Sequence, residues 1–284
     1  MKLNNTDRMV LYMFSSDKLE NILCGKIVSV KETSYGVTNK NYIVTTNSDK
    51  KYFYRVPKQN SKLISKNNEK EALSLLENEY YFLKPVFYSN NHLITEFKDV
   101  KTFISTKDLT SIVKIANILR DFHEKKFNAT ETFNIIDKFK DYYSQVDNFR
   151  FDIEKFLPLV DEVEKIYTPD RLCHNDLTEG NFLFTGSKVY LIDYEYAGFN
   201  DFYFDIASFI SGCDLDYQET VTFLKNYFVR NDCDFNKLNI FLQFCDLFWY
   251  VWASMMYEKN GNEIYESLLI NRYNNLKNPK NITY

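Results

Sequence analysis

The densest chemical signal in the chain is the run Leu172-Cys173-His174-Asn175-Asp176-Leu177-Thr178-Glu179-Gly180-Asn181, followed by Tyr190-Leu191-Ile192-Asp193-Tyr194-Glu195. Phosphoryl transfer needs a carboxylate that positions or accepts the proton of the attacking hydroxyl, and hard oxygen ligands that neutralise charge on the β- and γ-phosphates. Asp176 suits the first role. Asn181 and Asp193 suit the second, because a loop residue and a residue at the end of an apolar strand supply oxygen donors of the kind Mg2+ prefers. Taken singly, each reads as a turn or a cap. Together, the H-x-D-x-x-x-x-N spacing, the apolar strand and the I-D-Y-E context point to a kinase-type site. His174 reads as an anchor of the loop rather than as a base.

Such a site has to be held by the elements around it. A helical opening over Asn5 to Leu23 precedes three β-like runs, Lys26–Val30, Tyr42–Thr46 and Lys51–Val56, each rich in β-branched or aromatic residues. The turn-forming stretches Ser34 to Lys40 and Asn47 to Asp49 separate them and predict an antiparallel meander. A helix over Asn67–Asn78 and two more strands, Tyr80–Tyr88 and His92–Phe97, complete this half. From Thr102 the apolar spacing becomes helical, over Lys107–Lys125, Ile135–Val146 and Ile153–Ile166. The Cys173 to Asp193 segment interrupts with two short strands, Phe182–Phe184 and Val189–Ile192. Helices then resume over Phe204–Ser211, Tyr217–Val229 and Leu238–Tyr257. The expected architecture is α+β and two-lobed: a small β-rich lobe over residues 1–98, a hinge near Lys98–Val100, and a larger helical lobe over residues 99–284, with a nucleotide cleft between them.

Composition excludes several classes. The 284 residues carry a net charge of −4 with both signs interspersed, so no basic block advertises a nucleic-acid or anionic-membrane surface. The cysteines Cys24, Cys173, Cys213, Cys233 and Cys245 are odd in number and include no C-x-x-C pair, which argues against a disulfide framework or zinc site and for a reducing cytoplasm. The N-terminus carries Lys2, Asp7 and Arg8 and lacks the apolar core of a signal peptide. Phe241 to Tyr257 contains Gln243 and Asp246 and reads as a buried helix rather than a membrane span.

His174-Asn175-Asp176 with Glu179-Gly180-Asn181, and Ile192-Asp193-Tyr194-Glu195-Tyr196 with Phe204-Asp205-Ile206-Ala207, resemble the signature segments of choline and ethanolamine kinases, over a span from about Ser29 to the end of the chain. The resemblance implies the eukaryotic-protein-kinase-like fold, ATP as co-substrate with Mg2+, Asp176 as catalytic base, Asn181 and Asp193 as magnesium ligands, and Asp205 as a structural carboxylate under the catalytic loop. The Gly36-Val37-Thr38-Asn39-Lys40-Asn41-Tyr42 run resembles the family's phosphate loop, which implicates Ser34, Gly36, Thr38 and Asn39. Tyr54-Arg55-Val56 matches the place where the family has an arginine, so Arg55 is expected on the ATP phosphates. Glu69 resembles the helix glutamate that pairs with this cation, with Glu71 as the alternative partner. Adenine is expected at the hinge near Glu96–Lys98, and Glu195 at the acceptor.

Phe248-Trp249-Tyr250-Val251-Trp252 places the chain's only tryptophans three residues apart, on one helix face. Such a stripe is usually core. A quaternary ammonium, however, is held by aromatic faces at about 0.5–2 kcal/mol per good contact and needs no hydrogen-bond acceptor. In the family resembled, tryptophans at this spacing line the choline pocket together with a tyrosine that matches Tyr217. One departure stands out: Gly212 occupies a position where many family members carry a glutamate, and Asp214 or Asp216 could compensate. The expected partner is a small amino alcohol, choline first. The alternatives are ethanolamine, thiamine or an aminoglycoside as acceptor, or a silent nucleotide-binding scaffold. The last is disfavoured because Asp176, Asn181 and Asp193 are all present.

Overall fold

The computed structural model describes residues 16–33, 39–57, 66–186, 188–229 and 232–283. The phosphate-loop expectations at Ser34, Gly36 and Thr38, and most of the expected N-terminal helix, lie outside the described residues. Helix α1 covers Ser16–Leu23. Strands β1 (Ile27–Thr33), β2 (Asn39–Thr46) and β3 (Lys51–Pro57) form the meander, and β4 (Phe87–Ser89) and β5 (His92–Glu96) extend it into one antiparallel sheet of order β1-β2-β3-β5-β4. Asn90 and Asn91, at φ 50° and 63°, close the β4–β5 hairpin in the left-handed conformation that asparagine tolerates. The expected strand over Tyr80–Tyr88 is corrected: pairing begins only at Phe87. Pro85 has no N–H to donate to a ladder, and Tyr81 and Phe82 turn instead into the core of the helical half.

The period of two along the strands divides labour between the faces of the sheet. Tyr52, Tyr54 and Val56 of β3 join Val44 and Ile94 in a cluster with Leu19 and Leu23 of α1. The intervening Phe53 and Arg55, with Asn41 of β2 and Thr95 of β5, face the opposite way and roof a cavity of about 550 Å3. Helix α2 (Lys66–Leu75) lies beside this roof, and its Ala72 belongs to the larger core.

Below the cavity, β6 (Lys101–Thr102), α3 (Phe103–Thr106), α4 (Leu109–Glu124), α5 (Ile135–Tyr143) and α6 (Pro158–Ile166) lead to β7 (Arg171–Cys173). Strands β8 (Phe182–Thr185), β9 (Lys188–Leu191) and β10 (Gly198–Asn200) follow. β6, β8 and β9 make one sheet, β7 pairs with β10, and Leu191 N donates to Tyr81 O at 2.9 Å, tying the segment after α2 to β9. Helices α7 (Phe202–Gly212), α8 (Tyr217–Tyr227), α9 (Phe235–Asn260) and α10 (Glu263–Lys277) complete the chain. Among the described residues, no helix is long and apolar enough to cross a membrane.

Helix α9 runs past the expected end at Tyr257 and stops where Gly261 takes φ 60° and donates its N–H to Tyr257 O. Asn262 then caps α10 through the Ile264 N–H. Helix α10 was not anticipated, because its buried stripe, Tyr265, Leu269, Arg272 and Leu276, is thin and broken by an arginine.

Phe103 is fully buried against Phe182, Phe184 and Phe209 at the point where the helical half meets β8. Phe103→Ala is expected to destabilise the fold by about 3–5 kcal/mol, read by urea unfolding. A loss under about 1 kcal/mol would mean that this junction repacks freely.

Candidate active site

The loop between β7 and β8 is built on Asp205, in the first turn of α7. With no exposure, its carboxylate accepts from His174 N at 2.7 Å, Asn175 N at 2.6 Å and His123 Nε2 at 2.9 Å. Asn175 sits at φ 68°, a left-handed turn in which its amide nitrogen donates to Tyr196 O at 2.9 Å and its amide oxygen accepts from Asn200 Nδ2 at 2.7 Å. His174 Nε2 meets the Ile192 carbonyl at 2.9 Å, and Nδ1 accepts from Asp176 N at 3.3 Å. A carbonyl partner puts the proton on Nε2, and burial lowers the pKa of the ring, so the imidazole is neutral. With both ring nitrogens committed to backbone, His174 is an anchor, as read from its motif.

Asp176 leaves this loop at the cavity wall, and Asn181 Nδ2 donates to its carbonyl at 2.7 Å. That bond orients the Asn181 amide and leaves its oxygen for another partner. Asp193 follows β9 at φ 69°, a conformation costly for a side chain with Cβ, held here because Ile192 N donates to Asn181 O and Ile192 O accepts from His174. Burial raises the pKa of Asp176 to about 7, with the neighbouring charge of Asp193 adding to the effect. Burial and Asp193 likewise push Glu195 up to about 8, opposed by Arg55.

Arg55 bridges the two halves. Its Nη2 contacts both oxygens of Glu69 at 2.5 Å, and its Nη1 donates to Asp193 Oδ1 at 2.8 Å. Burial opposes the charge on Arg55, but the carboxylates of Glu69, Asp193 and Glu195 outweigh it and raise its pKa. One nitrogen thus reaches both oxygens of Glu69 while the other reaches Asp193, and burial raises the pKa of Glu69 against the pull of the guanidinium. Glu71, the other candidate partner, instead accepts from Thr130 N, Thr130 Oγ1 and Glu131 N, which settles the pairing on Glu69. Asn39 Nδ2 donates to Glu195 Oε2 at 3.1 Å. Glu96 also lines the cavity but is an exposed residue paired with Lys98.

At the far end of the cavity stand Trp249 and Trp252, with ring centroids 5.5 Å apart and planes crossed at 83°. The tyrosine beside them is Tyr265 of α10, 5.6 Å from Trp252 and also crossed. Tyr217 is corrected here: it is 64% exposed at the start of α8 and does not line the cavity. The two acidic residues considered near Gly212 point elsewhere as well. Asp214 is paired with Lys280 at the surface, and Asp216 caps α8 through Glu219 N. Gly212 itself has no room for a side chain, since a Cβ there would stand 2.8 Å from the Leu177 carbonyl oxygen. Sequence reasoning missed Tyr265 and Arg272, and the signal available for them was the α10 stripe.

The profile of the choline/ethanolamine kinase family matches residues 30–275. The chain belongs to this family. It is therefore a phosphotransferase, and its fold is the two-lobed kinase fold expected from the resemblance. Protein LicA of Haemophilus influenzae is 26% identical over 252 residues, 80% of this chain and 73% of that protein. A probable ethanolamine kinase of Arabidopsis thaliana is 24% identical over 91% of this chain and 81% of its own. The crystal structure of choline kinase LicA from Streptococcus pneumoniae superposes with a TM-score of 0.80 at 24% identity, covering 97% of this chain and 98% of that one.

Two outcomes follow from this geometry. Asp205→Ala would leave three buried donors unpaired and is expected to destabilise the protein by about 3–5 kcal/mol, seen as a lower melting temperature. A melting curve unchanged by it would remove Asp205 as the support of the loop. Arg55→Lys keeps the charge opposite Glu69 but cannot hold two carboxylates in a fork, so the KM for ATP is expected to rise about tenfold while that for the acceptor moves little. An effect confined to the acceptor would place Arg55 off the nucleotide.

Proposed function

We propose that this protein transfers the γ-phosphoryl group of ATP to the hydroxyl of choline, giving phosphocholine and ADP. The observation that carries this reading is the pairing, in one cavity, of a carboxylate at the catalytic loop with a cage of crossed aromatic rings at Trp249, Trp252 and Tyr265. A trimethylammonium group is held by aromatic faces and asks for no hydrogen-bond acceptor. Lining the cavity supports a cage over plain core, since both tryptophans face it and keep 7% and 8% of their surface exposed.

ATP is assigned to the cleft between the lobes over residues 1–98 and 99–284. Its adenine lies at the hinge near Glu96, its phosphates lie toward Asn39, and Arg55, oriented by Glu69, faces the phosphates. The donor set fits Mg2+: the Asn181 amide oxygen and the second carboxylate oxygen of Asp193 are hard ligands beside the same cavity. Bound there, the metal would neutralise the charge of the β- and γ-phosphates. Asp176 accepts the hydroxyl proton as the choline oxygen attacks the γ-phosphorus and the bond to the bridging oxygen of ADP breaks. Glu195, beside Asp193, lines the wall that faces the cationic acceptor, and a cation bound there favours its ionised form. Free cysteines, three of them buried, fit a cytoplasmic setting.

Ethanolamine is the nearest alternative. Its primary ammonium needs acceptors that Gly212, Asp214 and Asp216 do not supply to this cavity. An ADP-release assay across choline, ethanolamine, thiamine and an aminoglycoside is expected to show a preference for choline. Trp249→Leu and Trp252→Leu keep apolar bulk and should each weaken choline about tenfold, or ~1–2 kcal/mol, with ATP affinity unmoved. Equal use of both amines, or tryptophan variants that lose stability without losing selectivity, would return these rings to the core. Asp176→Asn should lower turnover by ~10²–10⁴ while ATP still binds. Activity within a few-fold of wild type would sink its assignment as base.

A further inference from the structure

Tyr265, Leu268 and Arg272 lie at i, i+3 and i+7 on α10 and all line the cavity. Tyr265 stands in the aromatic cage. Arg272, two turns and about 10 Å further along the axis, stands at Gly212 and the catalytic loop. Arg272 is 8% exposed and its guanidinium is held from one side. Its Nη1 donates to Asp246 Oδ1 at 2.9 Å and contacts Ser211 Oγ, and Asp246 Oδ1 also accepts from Ser211 Oγ at 2.6 Å and Asn275 Nδ2 at 3.2 Å. Nη2 has no hydrogen-bond partner among the described residues. It lies 4.0 Å from where a Cβ on Gly212 would stand, and that same point is 2.8 Å from Leu177 O, the residue after Asp176. The missing side chain at Gly212 is what brings this nitrogen to the catalytic loop.

An arginine in a pocket for a cationic acceptor gains nothing from the acceptor itself. The anion that appears during turnover is the phosphoryl group transferred beside Asp176. The pocket is therefore graded along its length, aromatic where the ammonium sits and supplied with a guanidinium N–H donor where the phosphate forms, which matches phosphocholine as well as choline. Building on the function proposed above, we infer that Arg272 is a further catalytic residue, whose Nη2 donates to an oxygen of the transferred phosphoryl group and of the phosphocholine product. Such a contact strengthens as the reaction proceeds, so it raises turnover without tightening the ground state.

Removing Arg272 alone would leave Asp246 buried and uncompensated, so the decisive variant is the double change Asp246→Asn with Arg272→Gln. Against wild type it is expected to melt at a similar temperature, to bind choline with a KM within a few-fold, to turn over about tenfold more slowly, and to be inhibited by phosphocholine about tenfold more weakly. Asp246→Asn alone should leave phosphocholine inhibition near wild type. Should the double variant not fold, Arg272→Lys keeps the partner of Asp246, withdraws the second nitrogen and is expected to weaken phosphocholine inhibition in the same way. Unchanged phosphocholine inhibition in a folded Arg272 variant, or an equal loss in Asp246→Asn alone, overturns the inference while leaving choline kinase activity intact. Wild-type turnover of neither choline nor ethanolamine overturns both readings, and turnover of ethanolamine alone transfers the same measurement to phosphoethanolamine.

Discussion

A single buried carboxylate, Asp205, anchors the loop between β7 and β8 on which the candidate site depends. Asp205 has no exposure and takes its hydrogen bonds from two consecutive backbone N–H groups and one imidazole, so neither water nor a competing partner can replace them. Those two N–H groups belong to His174 and Asn175, and fixing them fixes the left-handed turn from which Asp176 emerges. His174 then carries the restraint across to Ile192, and Asn181 ties its side chain to the Asp176 carbonyl and its own carbonyl to Ile192 N. The positions of Asp176, Asn181 and Asp193 are consequences of one another. Strain at Asp193 persists because the network around it allows no other backbone path.

The same economy shows in the charges. Asp176, Asp193, Glu195 and Glu69 crowd one wall of the cavity, and among the described residues Arg55 is the cation placed directly between the two halves to meet them. Burial first, and then the like charge of Asp193 at short range, raise the carboxylate pKa values at Asp176 and Glu195. A wall of this kind favours cations, whose charge would relieve the repulsion that the fold imposes.

How much of this was legible in the sequence depends on how far apart the cooperating residues lie. Asp176, Asn181 and Asp193 stand within one stretch of chain whose spacing suggests kinase chemistry, and Asp205 followed from the family resemblance. Arg55 could be placed by its motif, but the choice between Glu69 and Glu71 required the packing of α2, which turns Glu71 toward Thr130. The third ring of the cage was misassigned to Tyr217, because sequence order says nothing about which helix returns to the cavity. Tyr265 comes from α10, whose polar, asparagine-rich surface hides a narrow buried stripe. The strand expected at Tyr80 failed for a local reason, Pro85, together with the pull of Tyr81 and Phe82 into the larger core. Gly212 read as a missing charge, and the structure makes it a point of close approach between α7 and the backbone at Leu177.

Strand β3 serves two masters, with Tyr52, Tyr54 and Val56 in the small apolar cluster and Arg55 on the opposite face over the cavity. A one-residue insertion or deletion inside it would exchange those faces, driving a guanidinium into hydrocarbon and swinging tyrosines over the cavity. Length drift in this half of the molecule is thereby channelled into the connections, such as the Asn47–Asp49 turn, where an extra residue disturbs no alternation. The residue count of the roof strand is thus fixed by parity, and that of its connections is not.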